Sequence, residues 1–399
     1  MIGLADIEAA RARVAGVLRP TPVDRSDSLS RLAGRPVLLK PEHLQRTGSF
    51  KIRGAYNFLV AIDPGITDVV AGSAGNHAQG VALAASLTGR RATVFMPTGA
   101  SLPKVDATRG YGAEVRLTGD SVDDCVAAAR EHAAATGAVL VPPFDDPLII
   151  AGQGTIGLEI AEEAPGATTV VVPIGGGGLI SGIAAALAAV RPGTRVVGVE
   201  AAGAATMRTA LDAGRCVPVP VLATMADGIA VKSASELTLR HVQALVDDVV
   251  TVTEEEISAA ILLLLERAKA VVEPAGAVAL AAVLNGSAGG RGPVVAVLSG
   301  GNVDPQLLIK LIDHGLSSAG RYLMLRIVLP DHPGALASLT AEVARLGLNV
   351  LDVEHHRAGV DLALDEVEVM LTLQTRNAEH RHQVVAALAA AGYQVDQVR

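Results

Sequence analysis

The chain has 399 residues, a net charge of −8 and two cysteines; half of its residues are hydrophobic, but only 2% are aromatic. The acidic balance argues against nucleic acid or an anionic membrane as the main partner, and two cysteines form neither a metal motif nor a disulfide framework. Charges interrupt the first sixteen residues where a signal peptide needs an apolar segment, and proline and glycine break the long uncharged stretches. We therefore expect a cytoplasmic protein without a membrane span.

Short β-branched segments alternate with alanine-rich segments through the first three quarters of the chain. Such alternation, with unbroken apolar strands, predicts a mostly parallel sheet covered by helices on both faces. Several predicted strands end in turns rich in Gly, Ser and Asn, and open α/β sheets bind their ligands at such carboxyl ends. The predicted strands are 35–40, 68–73, 91–97, 113–119, 168–175, 194–201 and 292–302, and the predicted helices are 54–62, 77–89, 102–112, 121–137 and 178–190.

The pattern changes near Arg321 to a strand–helix–strand–strand–helix–strand order, which predicts a ferredoxin-like βαββαβ unit. Apolar and polar residues alternate along the second strand of its hairpin, and its first helix has one apolar face and is expected to end at a glycine cap, Gly347. We expect one domain over residues 1–315, a linker over Asp313–Arg321 and a second domain over residues 321–399. The apolar positions are Val367, Val369, Leu371 and Leu373 on the strand and Leu336, Leu339, Val343 and Leu346 on the helix.

Four consecutive glycines, Gly175–Gly178, lie between a predicted strand and a predicted helix. Backbone amides that converge there, together with the helix N-terminus, favour a phosphate site, whereas a merely tight turn does not need four glycines. A dinucleotide site is the alternative, since Glu200 lies about twenty residues further on. The dinucleotide alternative is weakened because the glycine fingerprint of such sites belongs in the first strand–helix unit of a fold.

The stretch "TGSFKIRGA", from Thr47 to Ala55, places Lys51 and Arg53 among small and apolar residues at the start of a helix. One interpretation is that both side chains extend to water from an amphipathic helix. The other is that Lys51 is buried beside a cofactor and forms a Schiff base, because desolvation lowers the pKa of a lysine amine.

Two further turns, "GSAGNHAQG" from Gly72 and "VLSGGNV" from Val297, follow predicted strands. Taken alone, the first is explained by helix capping through Ser73 or Asn76, and the second is an ordinary turn that presents Ser299.

Together, six stretches of the chain resemble one family. "LLKPEHLQRTGSFKIRGA", "AGSAGNHAQGVA", "IAGQGTIGLEI", "PIGGGGLISG", "GVEAAGA" and "VLSGGNVD" occur in the order and approximate spacing of the pyridoxal-phosphate-dependent threonine dehydratases, or threonine ammonia-lyases. These enzymes have the two-lobed fold type II, which they share with serine racemase and tryptophan synthase β. The resemblance covers roughly Asp6 to His314, and the tail resembles an ACT regulatory domain.

The resemblance implies roles for particular residues. Lys51 would hold pyridoxal phosphate as a Schiff base, the glycine loop and the Leu179 amide would bind its phosphate, and Ser299 would face the pyridine nitrogen. The remaining implied residues are Asn76 at the ring oxygen and Phe50 near the ring, Ser73, Ala74, Gly75 and His77 around the substrate carboxylate, and Gln153, Gly228 and Glu273 along the site without a defined role.

The resemblance also implies the reaction. A neutral serine at the pyridine nitrogen makes the ring a weaker electron sink than a carboxylate does, so coupled loss of the α-proton, taken by Lys51, and of the β-hydroxyl is favoured. We expect L-threonine to lose water by β-elimination and the enamine product to be hydrolysed to 2-oxobutanoate and ammonia, with L-serine as a slower substrate. In serine racemase a serine base stands at the place of Ala74, and an acidic metal ligand at that of Thr206, so racemisation and a metal site are not expected. A serine-preferring dehydratase or racemase remains an alternative.

For the ACT-like tail the resemblance implies an amino-acid effector near Gly334 and Asn349 at paired interfaces, in a homodimer or homotetramer. Isoleucine or valine is the expected effector, because threonine deamination supplies the precursor of isoleucine. The alternatives are a dimerisation module without a ligand and, for the whole chain, a non-catalytic amino-acid sensor.

Overall fold

The structure is a computed structural model, and it describes residues 1–220, 223–357 and 362–398. The chain divides into two compact units, Met1–Leu308 and Ile309–Arg399. Among the described residues, no helix is both long and apolar enough to cross a bilayer.

The first unit contains twelve of the α-helices in the described chain, and a thirteenth begins in it. They are α1 (Leu4–Val14), α2 (Asp27–Ala33), α3 (Lys51–Ala61), α4 (Asn76–Leu87), α5 (Leu102–Gly110), α6 (Val122–Thr136), α7 (Pro147–Glu163), α8 (Gly178–Val190), α9 (Thr206–Ala213), α10 (Glu236–Leu245), α11 (Glu254–Leu263), α12 (Pro274–Leu284) and α13 (Pro305–Ser318).

Two sheets organise this unit; the smaller is parallel throughout, and the larger is parallel except for one edge strand. The larger sheet has the order β1-β2-β10-β7-β8-β9, in which only β1 is antiparallel, and the smaller has the order β5-β4-β3-β6. The strands are β1 (Asp24–Arg25), β2 (Val37–Lys40), β3 (Asp68–Gly72), β4 (Arg91–Met96), β5 (Glu114–Leu117), β6 (Val139–Leu140), β7 (Thr169–Pro173), β8 (Arg195–Ala201), β9 (Asp248–Val252) and β10 (Val294–Val297). The prediction of parallel sheets between helices is confirmed.

Helices α3, α7 and α8 pack closely through glycines. A Cβ on Gly152 would lie 2.6 Å from the Cα of Gly54, and one on Gly157 would lie 2.7 Å from the Cβ of Ala186. Glycine at these positions lets the helices approach almost backbone to backbone. The contact holds the start of α3, which carries Lys51, against α7.

A cluster of buried charged side chains also holds α3 in place. Arg53 is fully buried and donates to Glu42 at 2.8 Å and to Glu159 at 2.6 Å, and the buried Lys40 lies 2.6 Å from Glu159. Burial alone would lower the pKa of Arg53, but the two carboxylates raise it above its usual value. Arg53 therefore does not extend to water as the amphipathic interpretation requires.

The second unit has one antiparallel sheet of order β12-β13-β11-β14 with two helices. Its elements are β11 (Tyr322–Pro330), α14 (Ala335–Arg345), β12 (Asn349–His356), β13 (Glu366–Gln374), α15 (Ala378–Ala390) and β14 (Gln394–Gln397). The predicted βαββαβ order is confirmed, and the four alternating residues of β13 are all buried. Gly347 has φ of 70°, the left-handed conformation expected of a residue that ends a helix.

The predicted linker, Asp313–Arg321, is helical for most of its length, because α13 continues to Ser318. Leu311 and Gly315 are both buried one turn apart, so the segment has an inner face despite its Gly and Ser content. The helix is followed by Gly320, whose φ is 67°.

The buried cluster makes a testable prediction about stability. Replacing Arg53 by Met leaves the carboxylate of Glu42 buried without its cation, which should lower the free energy of unfolding by about 3–5 kcal/mol. Urea unfolding followed by circular dichroism measures the change. The control is Arg25→Met, which removes an exposed partner of Asp27 and should change the free energy of unfolding by less than about 0.5 kcal/mol. Equal unfolding midpoints for the two variants would contradict a stabilising role for the cluster.

Candidate active site

Lys51 is the first residue of α3, and its amine points into the unit. Its Nζ donates to the carbonyl of Pro143 at 2.8 Å and lies 5.2 Å from the centroid of the Phe50 ring. The preceding backbone is tied to the end of β10, since the Phe50 amide donates to the carbonyl of Ser299 at 3.1 Å. The site residues Lys51, Phe50 and Ser299 are thus brought together.

The surroundings of Lys51 change its chemistry. Burial lowers the pKa of its amine from 10.5 to about 8, although the nearby carboxylate of Glu273 acts in the opposite direction. At neutral pH about a tenth of the amine is therefore unprotonated, and only that form attacks a carbonyl carbon. This is the property that a Schiff-base lysine needs.

The glycine loop follows β7 and enters α8. Gly177 has φ of 90°, a left-handed conformation that favours glycine. A Cβ on Gly176 would overlap the ring of Phe144, and one on Gly175 would lie 3.0 Å from the Cα of Ile229. None of the described residues accepts a hydrogen bond from the backbone amides of Gly175–Leu179. Unpaired amides at a helix N-terminus attract an anion.

One dipeptide connects the lysine to this loop. Pro143 accepts the hydrogen bond from Lys51, and the next residue, Phe144, lies against Gly176 with its ring and against Gly178 with its Cβ and backbone. The amine and the unpaired amides of the glycine loop therefore flank the same two residues, although they are more than 120 positions apart in the sequence. Neither Pro143 nor Phe144 was identified from the sequence, because neither belongs to a recognisable turn motif.

A second group of amides opens at the start of α4. Residues Ser73–Gly75 follow β3, and none of the described residues accepts from the amides of Ala74, Asn76 and His77. The Ser73 hydroxyl accepts a hydrogen bond from the Gly75 amide at 3.3 Å.

The side chain of His77 makes a contact elsewhere: its Nε2 donates to the carbonyl of Val141 at 3.0 Å. Burial, and then the charge of Lys51, lowers the pKa of His77 to about 3. Its backbone amide is the donor left for a carboxylate.

Asn76 and Glu273 meet beside Ser299. The Nδ2 of Asn76 donates to Oε1 of Glu273 at 2.6 Å, and the carboxyl group lies over Gly300, the residue after Ser299. Burial and then Asp227 raise the pKa of Glu273 to about 7. The Ser299 hydroxyl has a carbonyl neighbour, that of Ala275, at 3.5 Å.

Two further predicted lining residues lie near this group. Gly228 faces Glu273, whose Oε1 would be 3.7 Å from a Cβ there. Gln153 is buried beside Gly54, and its Oε1 has no hydrogen-bond partner among the described residues. Asn302, within the quoted motif "VLSGGNVD" but without an expected role, donates to Oδ1 of Asn76 at 2.7 Å.

Glu200 does not face this site as a free ligand. It is buried, and its two oxygens accept from the amides of Met207 at 2.7 Å and Arg208 at 2.9 Å, at the start of α9. Burial raises its pKa to about 7 despite these bonds. Among the described residues, no group of three or more His, Cys, Asp or Glu side chains is placed to hold a metal ion.

These features together fit a cofactor with an aldehyde and a phosphate. The amine of Lys51 has a lowered pKa, the glycine loop offers unpaired amides that a Cβ would obstruct, and the buried Ser299 is tied to Phe50, the residue before Lys51. The chain belongs to the family of pyridoxal-phosphate dependent enzymes, whose family model matches residues 14–300, and an ACT domain model matches residues 323–393. Pyridoxal phosphate is therefore its cofactor.

Individual relatives are similar over nearly the whole chain. An L-threonine ammonia-lyase of Geobacter sulfurreducens is 48% identical over 98% of each chain, and one of Thermotoga maritima is 46% identical over 99% of each. The solved structure of a threonine deaminase from Solanum lycopersicum, the processed form of isoform 2, is 38% identical. It covers 78% of this chain and 92% of its own, with a TM-score of 0.74.

In the second unit, one of the two expected effector residues lines a cavity. The cavity has a volume of 450 Å³ and is lined by Gly334 with neighbouring residues of the β11–α14 turn and by His355, Arg357 and Val367. Asn349 lies elsewhere, beside Gln374, whose Oε1 accepts from its Nδ2 at 3.3 Å.

The lowered pKa of Lys51 can be measured directly. In the cofactor-free protein, reductive methylation of Lys51 with formaldehyde and cyanoborohydride should increase with pH around a midpoint near 8, because only the neutral amine attacks the aldehyde before the imine is reduced. Mass spectrometry of the peptide that contains Lys51 gives the extent of modification. The control is the same peptide in urea-unfolded protein, where the midpoint should return to about 10.5. Identical midpoints in the folded and unfolded protein would contradict desolvation of this amine.

Proposed function

We propose that this protein is a threonine ammonia-lyase that converts L-threonine to 2-oxobutanoate and ammonia, with L-serine as a slower substrate. The observation that carries the proposal is the amine of Lys51, with a pKa of about 8, placed beside a loop of unpaired glycine amides. Near-full-length similarity to two L-threonine ammonia-lyases supports the substrate.

The cofactor and the chain divide the chemistry between them. Bound pyridoxal phosphate supplies a conjugated ring that stabilises negative charge at the α-carbon of an attached amino acid. Lys51 would hold the cofactor, and its neutral amine, once released, would be the base for the α-proton of the substrate. The amides of Gly175–Leu179 would bind the phosphate, and the Asn76 amide would donate to the ring oxygen.

The chain also orients the substrate. The unpaired amides of Ala74, Asn76 and His77 lie at the start of α4, where the helix N-terminus stabilises a carboxylate. Ser299 is neutral, so it does not hold a proton on the ring nitrogen as a carboxylate would. Together with Lys51 as the base, this favours loss of the β-hydroxyl over a long-lived carbanion.

A serine racemase is the nearest alternative activity. Racemisation needs a second base on the opposite face of the substrate, and the methyl group of Ala74 cannot accept a proton. Assays of both enantiomers of threonine and serine, with chiral analysis of the remaining substrate, distinguish the two activities. A non-catalytic sensor would bind amino acids in these assays and release no ammonia.

Lys51→Ala is the direct test of the proposed site. Turnover of L-threonine should fall by at least about a thousandfold, because both the cofactor anchor and the base are lost. Release of 2-oxobutanoate measures turnover, and circular dichroism confirms folding. Lys310→Ala removes an exposed lysine outside the site and should keep normal activity. Substantial activity in Lys51→Ala would refute the role.

We further propose that the ACT domain, residues 321–399, regulates a catalytic domain of residues 1–315 by binding an amino acid, with isoleucine or valine as the expected effector. Gly334 and Asn349 are the proposed contacts. The end of β11 near Gly334 is paired with Glu366 of β13, and Asn349 is paired with Gln374 of the same strand. Glu366 and Gln374 are eight positions apart, which is about 27 Å at 3.4 Å per residue. One copy therefore cannot bring both residues to one ligand.

This separation supports a homodimer or homotetramer in which Gly334 of one copy and Asn349 of another face the same effector. The edge strand β12 is exposed along most of its length, including the apolar Leu351 and Val353. An unpaired edge of this kind is suited to association. We place the enzyme in the cytoplasm and in isoleucine biosynthesis, in line with the expected effector.

Deleting residues 321–399 tests the regulatory role. The truncated protein should retain L-threonine turnover but lose any response to isoleucine and valine, since the proposed effector residues are removed. Steady-state rates over a range of effector concentrations measure the response, with the full-length protein as the reference. An inhibition curve that survives the deletion unchanged would show that the effector binds the catalytic unit instead.

A further inference from the structure

The side-chain amide of Asn76 lies between two partners that fix its orientation. Its Nδ2 donates to Oε1 of Glu273 at 2.6 Å, and its Oδ1 accepts from Nδ2 of Asn302 at 2.7 Å. A flipped amide would place two NH2 groups against each other and a carbonyl against a carboxyl oxygen. Both contacts would then lose their hydrogen bond.

The orientation of Asn302 is determined in turn by the backbone. Its Nδ2 also donates to the carbonyl of Thr47 at 2.7 Å, and a carbonyl oxygen can only accept. Both hydrogens of this nitrogen are therefore used. Thr47 has φ of 64°, and the following Gly48 has φ of 71° and leaves no room for a Cβ beside Asn302. The turn that leads to Lys51 is thus packed against the same side chain.

Glu273 completes the arrangement on the other side. It lies at the start of α12 and is nearly buried, and a Cβ on Gly300 would overlap its Oε1. The charged groups that face it come from three elements: Lys51 on α3, Lys104 on α5 and Asp227 on the turn at Asp227–Ile229. Lys104 and Asp227 also pair with each other at 3.1 Å.

We infer that Asn302 and Glu273 are positioning residues for the cofactor, because together they turn the amide nitrogen of Asn76 toward the ring oxygen. Asn302 donates to the Thr47 carbonyl and to the Asn76 oxygen, and the Asn76 nitrogen donates to Glu273, so each bond sets the direction of the next. One hydrogen of the Asn76 nitrogen goes to Glu273, so the second is the donor that remains for the ring oxygen. The inference rests on the proposed function, in which Asn76 binds that oxygen.

The two residues contribute differently. Asn302 must present a nitrogen to the Asn76 oxygen, whereas Glu273 needs only to present an oxygen to the Asn76 nitrogen. Burial and then Asp227 raise the pKa of Glu273 to about 7, so this group titrates near neutral pH. Above that pH the carboxylate carries the charge that favours the bond from Asn76.

Asn302→Asp keeps the size of the side chain at position 302 but removes the nitrogen that orients the Asn76 amide. The new carboxylate faces the Thr47 carbonyl and the Asn76 oxygen, so the Asn76 amide turns over and presents its carbonyl to the ring oxygen. Loss of this donor should raise the dissociation constant of pyridoxal phosphate by at least about tenfold and shift the visible absorption band of the bound cofactor. Fluorescence titration and absorption spectra of the full-length protein measure both. Asn377→Asp, an exposed change that keeps the cap of α15, should alter neither.

Glu273→Gln provides the contrasting result. Its amide oxygen can still accept from Asn76, so the dissociation constant should change by less than about threefold. The increase in cofactor affinity with pH around 7, expected from the Glu273 carboxylate, should disappear because the titrating group is gone. If Asn302→Asp fails to fold, Gly300→Ala tests the same point from the other side, since its Cβ displaces Glu273 and lies 2.9 Å from Nδ2 of Asn76.

The outcomes separate this inference from the proposed function. Normal cofactor affinity and spectrum in Asn302→Asp, or in Gly300→Ala where that variant is used, would overturn the positioning role while leaving the enzyme assignment intact. Absence of cofactor binding by the wild-type protein would overturn the proposed function itself. Equal losses of affinity in Asn302→Asp and Glu273→Gln would contradict the distinction between a required nitrogen and a required oxygen.

Discussion

The amine of Lys51 is held away from water near backbone amides that have no partner among the described residues, and the chemistry proposed for the site depends on this arrangement. Desolvation makes the amine a nucleophile near neutral pH, while the glycine loop and the start of α8 provide positive potential without a charged side chain. Glycine is also needed in the loop for space, because a Cβ on Gly176 would overlap the ring of Phe144.

Helix α3 must be fixed for this arrangement to persist, because Lys51 is its first residue. Two different kinds of contact fix it. Gly54 and Gly152 allow close helix packing against α7, and Arg53 joins α3 to Glu42 and Glu159 through buried ion pairs. Close packing limits translation of the helix, and the directional bonds of a guanidinium limit its rotation.

Much of this arrangement could be predicted from the sequence, and the exceptions have physical reasons. Alternating segments and the glycine loop depend on local pattern, so the parallel sheets and the βαββαβ unit were predicted. The helical conformation of Asp313–Ser318 was not, because its burial at Leu311 and Gly315 is a property of packing rather than of composition. The bonds from Asn76 to Glu273 and Asn302 join segments 197 and 226 positions apart, and isolated polar contacts leave no periodic signal.

The chain of hydrogen bonds that starts at Thr47 has an evolutionary consequence. A main-chain carbonyl is common to every amino acid, so no mutation can reverse the polarity at that end. Positions 302 and 76 should consequently covary in an alignment of relatives, each compensating for the other, or remain unchanged together. Position 273 should tolerate glutamine more readily than any apolar residue, and the pattern of allowed pairs would report the direction of the bonds without a further structure.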